Sequence, residues 1–294
     1  MAELPIKTLA LIGIGHIGSS IARGVIEQKL AERIVVADNN EEHRARALEL
    51  GLCQSATADA GEAVRGADMV IVCTPIGTYQ AIGEAMAPDL AAGAIVTDVG
   101  SVKQAAIRAL KPALPRHARF VPGHPVAGTE NSGPDAGFAA LFHNRWAILT
   151  PLPGEDQAAA DRVAWLWRGL GSNVVIMDAE HHDKVLAITS HLPHLIAYTI
   201  VGTATDLETS LQSEVIKFSA GGFRDFTRIA GSNPIMWRDI FLNNREAVLE
   251  MLQRFSEDLS SLQRAIRWGE GEKLEELFTR TRAIRRGVVA AKQA

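Results

Sequence analysis

The stretch "LALIGIGHIGSSIARG" (Leu9–Gly24) decides the fold class of this chain. An apolar run of strand type leads into three glycines at G-x-G-x-x-G spacing, and a segment with helical periodicity follows. The first glycine permits a tight turn, the second lets the backbone approach a pyrophosphate, and the third lets the helix pack close to the strand. The stretch therefore predicts a dinucleotide-binding turn at the N-terminus of a helix. To this turn we assign Gly13, Gly15, His16, Ile17 and Gly18.

Asp38, at the end of the next apolar run "RIVVAD", is the predicted ribose-binding residue. It lies 20 residues past Gly18, and a carboxylate at that place accepts hydrogen bonds from the ribose hydroxyls and repels a 2′-phosphate. The pattern favours NAD over NADP as the cofactor. NADP is the weaker alternative, because Arg44 and Arg46 on the following helix are cations that could bind a phosphate. A glycine turn without any cofactor is the third possibility.

The first half of the chain alternates short apolar runs with helical segments, which predicts a Rossmann-like α/β fold with a doubly wound, mostly parallel sheet. The predicted strands are "KTLALIG", "RIVVAD", "DMVIVCT", "AIVTDVG", "RFVPGH", "WAILTP" and "NVVIM". In such a sheet the carboxyl ends of the strands line the ligand crevice. We therefore expect Thr74 and Pro75 to border the cofactor and Ser101 to reach the nicotinamide or the substrate. A helix N-cap is the alternative for Ser101.

The pattern changes after residue 178, where strand signals end. We predict a dinucleotide-binding domain over residues 1–178 and an all-α substrate and dimerisation domain over residues 179–294. His181–Thr205 is apolar on most faces and is predicted to be a buried helix. A later helix carries an alternating four- and three-residue apolar seam, which favours a homodimer over packing within one subunit. The seam comprises Val248, Leu252, Phe255, Leu259, Leu262 and Ile266.

Composition narrows the class of protein. A chain of 294 residues with a net charge of −4 is long enough for two domains and not basic enough to indicate nucleic acid. Two cysteines, Cys53 and Cys73, indicate neither a disulfide framework nor a metal cluster, which favours a reducing cytoplasm. Because no run of about 18 apolar residues occurs, we expect no membrane span.

Five motifs occur in one order along the chain: "GIGHIGSS", "TDVGSVK", "GHPVAGTE", "SHLPH" and "GGFRDFTRIAGSNPIMWRDI". With them the chain resembles the prephenate/arogenate dehydrogenase family, from about Lys7 to about Arg267. The resemblance implies an NAD-dependent oxidative decarboxylation of prephenate to 4-hydroxyphenylpyruvate, of arogenate to tyrosine, or of both, in tyrosine biosynthesis. We expect no fused chorismate mutase segment and no regulatory domain of the kind that longer members carry. Inhibition by tyrosine would act by competition in the active site, because tyrosine resembles the product.

The resemblance also implies residue roles. His124 would be the catalytic base, because an unperturbed imidazole pKa of about 6.5 suits proton transfer at neutral pH, and Ser101 would bind the ring hydroxyl beside it. Arg228 would hold a substrate carboxylate, whereas Arg224 would pair with Asp225, Asp239 or another loop acid. The other implied substrate-binding residues are His194, Glu130, Thr129, Asp225 and Trp237. Core or loop roles are the alternatives for these side chains, and a turn role is the alternative for His124.

Two further expectations concern the remaining histidines. His181 and His182 begin a helix and are predicted to lie at the surface. His191 and His194 share a helix face, with Pro193 bending the helix between them, and no matching ligand suggests a metal. Two other functions stay open: a two-domain NAD-dependent dehydrogenase acting on a 3-hydroxy acid, and a non-catalytic NAD-sensing regulator.

Overall fold

The computed structural model describes residues 4–129, 131–205, 214 and 217–290, with the backbone alone at 288–290. The first half of the chain alternates strands with helices, as predicted. Its elements are β1 (Ile6–Ile12), α1 (His16–Gln28), β2 (Ala31–Ala37), α2 (Glu41–Glu49), β3 (Ser55–Thr57), α3 (Ala60–Val64), β4 (Met69–Val72), α4 (Tyr79–Met86), β5 (Ile95–Asp98), α5 (Lys103–Leu110), β6 (Arg119–Val121), β7 (Gly123–Pro125), β8 (Trp146–Leu149), α6 (Gln157–Gly169) and β9 (Asn173–Ile176).

Six strands form one parallel sheet in the order β3-β2-β1-β4-β5-β6. The order reverses between β1 and β4, and in such sheets the ligand crevice opens at the carboxyl ends of the strands beside that point. Separate apolar clusters pack on the two faces of the sheet, one around Trp167 and Phe142 and the other around Tyr79 and Phe120. The doubly wound α/β fold is therefore confirmed.

The prediction of a single strand "RFVPGH" was wrong. The chain leaves the six-stranded sheet after β6 and enters a second sheet of order β7-β8-β9, in which β7 is antiparallel to β8. Pro122 lies between β6 and β7 and has no N–H to continue a ladder, while its carbonyl accepts from Thr150 N at 2.9 Å. This change of sheet places His124 in the middle of β7.

The rest of the described chain is helical. The elements are α7 (Ala179–Leu186), a π-helical turn (Ala187–His191), α8 (Leu192–Thr205), α9 (Gly221–Thr227), α10 (Pro234–Asn243), α11 (Arg245–Trp268) and α12 (Gly271–Ala290). By contact density, residues 1–244 form one compact unit and residues 245–294 a second. The domain boundary predicted at residue 178 stays a prediction.

The apolar segment predicted to be a buried helix is only partly buried. Ile188 and Ile200 are 47% and 40% exposed, and 28% of the most apolar window within Ala179–Thr205 is buried. Length and hydropathy alone would let this one segment cross a membrane. However, its buried polar residues His182, Asp183 and His191 bond to other parts of the fold, as expected of a core helix.

Candidate active site

The glycine turn between β1 and α1 has the geometry that a dinucleotide requires. Gly13 has φ +96°, which L side chains rarely adopt, and a Cβ on Gly18 would lie 2.2 Å from the carbonyl oxygen of Gly13. A Cβ on Gly15 would meet nothing within 4 Å. Two glycines are therefore needed to close the turn, whereas Gly15 borders open space at the N-terminus of α1, where a pyrophosphate could bind.

Asp38 follows β2 beside this turn. One of its carboxylate oxygens accepts from Ile14 N at 2.9 Å and the other accepts from Asn40 N at 2.9 Å. The carboxylate is thereby fixed at the edge of the glycine turn, where it could also accept from ribose hydroxyls.

The two arginines of α2 have different partners. Arg44 donates to the backbone carbonyl of Asp38 at 2.8 Å. Arg46 forms a forked ion pair with Asp135 at 2.7–3.1 Å and also contacts Glu49 at 3.0 Å. These contacts raise the pKa of the Arg46 guanidinium and lower the pKa of Asp135.

The residues expected to border the cofactor also lie at this edge of the sheet. Thr74 and Pro75 follow β4, and the Cγ2 atom of Thr74 would be 3.0 Å from a Cβ on Gly13. Ser101 is half-buried and follows β5 just before α5. The alternative that Ser101 caps α5 was wrong, because the N-cap residue is Val102.

His124 is 8% exposed and belongs to a buried hydrogen-bonded chain. Its Nδ1 lies 2.8 Å from Nε2 of His182, and Nδ1 of His182 lies 2.8 Å from Oδ1 of Asp183. The prediction that His182 lies at the surface was wrong, because its side chain is fully buried, whereas His181 is exposed as predicted. Sequence analysis missed His182 and Asp183 because the start of a helix gives no sign of what packs on it.

Burial sets the protonation of these histidines. Removal from water lowers the pKa of His124 well below its usual value, and repulsion from Lys103, and from His182 or His191 when they are protonated, lowers it further. Burial also lowers the pKa of His182, against the opposing effect of its hydrogen bond to Asp183. Both imidazoles are therefore neutral at physiological pH and able to accept a proton.

Asp183 joins α7 to the N-terminus of α5. Its two carboxylate oxygens accept from Lys103 N at 2.7 Å and from Gln104 N at 2.9 Å. These N–H groups have no partner within the helix, and the positive end of the helix dipole favours a carboxylate there. A residue 80 positions later in the chain thus provides the cap.

A second buried network fixes the backbone next to His124. Lys103 Nζ contacts Asp98 Oδ2 at 2.5 Å and also donates to the carbonyl oxygen of Gly123. Asp98 further accepts from Tyr79 Oη at 3.1 Å, Gly100 N at 2.9 Å and Gly123 N at 3.1 Å. The end of β5, the helices α4 and α5, and the strand that carries His124 are joined through this carboxylate.

The π-helical turn brings His191 into the same interior. Pro193 has no N–H for a helical hydrogen bond, and Leu192 N instead donates five residues back to Ala187. The predicted bend is therefore a π turn rather than a simple kink. The side chain of Asn244 donates to the carbonyl of Asp183 at 2.9 Å and lies 3.0 Å from His191 Nδ1.

The ring of Trp237 packs against both His191 and His194. The rings of Trp237 and His194 stack with centroids 3.6 Å apart and an interplanar angle of 22°, and Trp237 is 6% exposed. Burial lowers the pKa of His194, and the positive charge of Arg228 also acts to lower it. Nε1 of Trp237 and Nε2 of His191 are buried without a partner among the described residues, so both could bind a polar ligand.

The structure does not bring all the predicted substrate residues together. Thr129 is exposed, and its hydroxyl accepts from Asn131 N at 3.3 Å, whereas Glu130 lies outside the described residues. Asp225 is exposed on α9. Asp239, one of the predicted partners of Arg224, pairs instead with its neighbour Arg238 at 2.7 Å.

A Rossmann-like sheet, a glycine turn of the dinucleotide-binding type and a buried histidine at the carboxyl edge are together typical of dehydrogenases that use a nicotinamide cofactor. Among the described residues, no group of three or more His, Cys, Asp or Glu side chains could hold a metal ion. Sequence profiles of known protein families show which kind of dehydrogenase the chain resembles. The prephenate dehydrogenase nucleotide-binding domain matches residues 21–176, and the prephenate dehydrogenase dimerization domain matches residues 178–280. The chain belongs to the prephenate dehydrogenase family.

Individual relatives are similar over nearly the whole chain. The cyclohexadienyl dehydrogenase of Zymomonas mobilis is 43% identical over 95% of each chain. The prephenate dehydrogenase of Bacillus subtilis is 36% identical over 92% of this chain and 72% of its own. A structure of Aquifex aeolicus prephenate dehydrogenase with hydroxyphenyl propionate and NAD+ superimposes with a TM-score of 0.91 at 33% identity, covering 97% of this chain and 99% of that one.

Proposed function

We propose that this protein catalyses the NAD-dependent oxidative decarboxylation of prephenate to 4-hydroxyphenylpyruvate, of arogenate to tyrosine, or of both, in tyrosine biosynthesis. The observation that carries the proposal is a buried, neutral histidine held at the edge of a dinucleotide-binding sheet, in a chain of this family. A nicotinamide cofactor bound at the glycine turn supplies the hydride acceptor.

His124 is the proposed base. It accepts the proton of the ring hydroxyl as hydride leaves the carbon that bears this hydroxyl. Departure of CO₂ then returns an electron pair to the ring oxygen, which recovers the proton as the ring becomes aromatic. No net proton is consumed, so the base needs an accepting nitrogen and a pKa low enough to release the proton again. The buried ring of His124 supports both requirements. Ser101 is the proposed second contact to the hydroxyl.

Recognition of the dicarboxylate is assigned to the region of Trp237. Arg228 is the proposed carboxylate-binding residue, because a guanidinium fork matches a carboxylate. His194 and Trp237 are proposed to hold the substrate side chain through their stacked rings and the indole N–H, which has no partner in the part of the chain that the structure describes. Glu130, Thr129 and Asp225 stay secondary candidates. Tyrosine, which resembles the product, is expected to compete for this same site.

NAD is the proposed cofactor in preference to NADP. The carboxylate of Asp38 would face a 2′-phosphate at short range, which is unfavourable for two anions. The contact of Arg46 with Asp135 supports the preference, because it pairs this guanidinium with another carboxylate. The proposed cofactor residues are Gly13, Gly15, His16, Ile17, Gly18, Asp38, Thr74, Pro75 and Ser101.

A homodimer formed through the helical residues is the proposed assembly, in a reducing cytoplasm where both cysteines are free thiols. The match to a dimerization domain supports it. The later part of the seam on α11 supports it as well, because Leu259 and Ile266 are 53% and 68% exposed in a single chain, whereas Val248 at its start is buried. Large apolar side chains exposed along one helix face are typical of subunit interfaces.

The decisive experiment is NADH formation, followed by absorbance, with prephenate and with arogenate, each with NAD+ and NADP+. The ratio of the kcat/KM values identifies the preferred substrate and cofactor. A 3-hydroxy acid dehydrogenase would respond only to its own substrate class, and a regulator would bind NAD without turnover. Absence of turnover with both cyclohexadienols, despite NAD binding, would refute the proposal.

A further inference from the structure

Asp183, His182 and His124 form a buried chain of hydrogen bonds in which donor and acceptor can be assigned at each step. His182 is fully buried, and each of its ring nitrogens lies 2.8 Å from a side-chain partner. One partner is the carboxylate of Asp183 and the other is Nδ1 of His124.

The carboxylate fixes where the protons lie. An ionised carboxylate only accepts hydrogen bonds, and Asp183 already accepts from the two backbone amides of α5. Nδ1 of His182 must therefore carry a proton and donate it to Asp183. Because a neutral imidazole has one N–H, Nε2 of His182 is an acceptor, and Nδ1 of His124 must donate to it. Nε2 of His124 is then left without a proton.

We propose that His182 and Asp183 are positioning residues that hold His124 in its Nδ1–H tautomer, with Nε2 as the acceptor of the substrate hydroxyl proton. The inference rests on the proposed function, because holding His124 in one tautomer matters for catalysis only if His124 is the base.

A purely structural role accounts for only part of the arrangement. Capping of α5 needs the carboxylate of Asp183 but no histidine, and an apolar side chain could fill the position of His182 without a buried polar atom. The charged and titratable groups around His124 come from several elements: His182 and Asp183 on α7, Lys103 on α5, and His191 in the π turn. Among these groups, His182 contacts the ring of His124 directly.

The first test reads the tautomer without turnover. Nitrogen-15 NMR of protein labelled at histidine, with His124→Asn to assign the signal, reports which ring nitrogen of His124 carries the proton. The wild type is expected to show Nδ1–H. His182→Gln is expected to retain it, because the amide oxygen can accept from His124 while the amide N–H donates to Asp183. His182→Leu removes the acceptor and should give a mixture of tautomers.

Asp183→Ala tests the source of the direction of these hydrogen bonds. One oxygen of Asp183 accepts from both His182 and Lys103 N, and the other accepts from Gln104 N. Alanine removes the acceptor of the His182 proton, so neither nitrogen of His182 is fixed as the acceptor and His124 should show a mixture of tautomers. An Nε2–H tautomer in the wild type, or an unchanged tautomer in both His182→Leu and Asp183→Ala, would overturn the proposal.

The second test uses kinetics. For His182→Leu we expect kcat to fall about 10- to 100-fold, as for a weakened general base, with KM nearly unchanged and kcat largely restored in His182→Gln. The acidic limb of the kcat/KM profile should also move in His182→Leu and return in His182→Gln. Equal loss in both variants, with intact folding by circular dichroism, would show that His182 only fills space. A correct tautomer in a wild type without dehydrogenase activity would refute the proposed function instead.

Discussion

The ammonium group of Lys103 lies 2.5 Å from a carboxylate oxygen of Asp98, and both side chains are completely buried. Burial lowers the pKa of Lys103, whereas the attraction of Asp98 raises it. The pair also holds both backbone polar groups of Gly123, one residue before the proposed base. It is therefore a structural link between the six-stranded sheet and the strand that carries His124.

Removing one member of this pair should destabilise the protein strongly. Lys103→Met leaves a buried carboxylate without its counter-charge, and we expect the free energy of unfolding to fall by about 3–5 kcal/mol. Urea denaturation at a fixed protein concentration measures the loss. The control is Lys184→Met, which breaks an exposed pair with Glu180 and should cost less than about 1 kcal/mol. Equal small losses would contradict the structural role of the buried pair.

The glycine turn offers a matched pair of variants that separates binding from folding. Gly15→Ala introduces a methyl group into open space at a φ of −66°, so the melting temperature should hardly change. The methyl group would obstruct the approach of a pyrophosphate, and we expect the Kd for NADH to rise at least about tenfold. Calorimetric titration with NADH measures it.

Gly18→Ala should behave in the opposite way. Its methyl group would lie 2.2 Å from the carbonyl oxygen of Gly13, so backbone must move and the melting temperature should fall. A stable Gly18→Ala protein, or a Gly15→Ala protein that binds NADH normally, would contradict the assigned roles.

Asp38 should control cofactor choice. Asp38→Asn removes the negative charge, and we expect the ratio of kcat/KM for NAD+ to that for NADP+ to fall by about tenfold or more. The control is Glu41→Gln, a neutralisation three residues further along, which should leave the ratio nearly unchanged. An unaltered ratio in Asp38→Asn would exclude its role in discrimination.

Arg228 and its neighbour Arg224 should differ in their effect on substrate affinity. Lysine keeps the charge but loses the planar fork, so Arg228→Lys should raise KM by about tenfold, or about 1.4 kcal/mol, with a smaller effect on kcat. Arg224→Lys is the matched control and should change KM less than about twofold. Steady-state kinetics with either cyclohexadienol decides between them, and a larger effect at Arg224 would exchange the two assignments.

His191 should make the protein acid-sensitive. Burial lowers its pKa from 6.5 to about 4, so the unfolded chain binds a proton at a higher pH than the folded one. The stability contributed by the neutral ring is therefore present above pH 6.5 and is lost as the pH falls toward 4. The loss is about 3 kcal/mol for this residue. His191→Asn, whose side-chain oxygen can accept from Asn244, should flatten the dependence of unfolding free energy on pH. An equally steep dependence in that variant would exclude His191 as its source.

Local sequence signals predicted the fold and the cofactor turn, because strand periodicity, glycine spacing and an acidic strand end are properties of contiguous residues. The family resemblance supplied His124 and Arg228. The partners of His124 could not be found in this way, because Asp183 meets α5 from 80 residues away and His182 is buried only by tertiary packing. The strand break at Pro122 was readable in principle, since proline cannot continue a ladder.

The cap of α5 has a consequence for the part of the chain that precedes α7. The first 178 residues contain the sheet, the glycine turn and His124, but neither Asp183 nor His182. A chain of that length has the α5 amides without their carboxylate and the imidazole of the proposed base without its hydrogen-bond partner. Both missing groups belong to α7, so the cap of α5 and the contact to His124 depend on the same two consecutive residues.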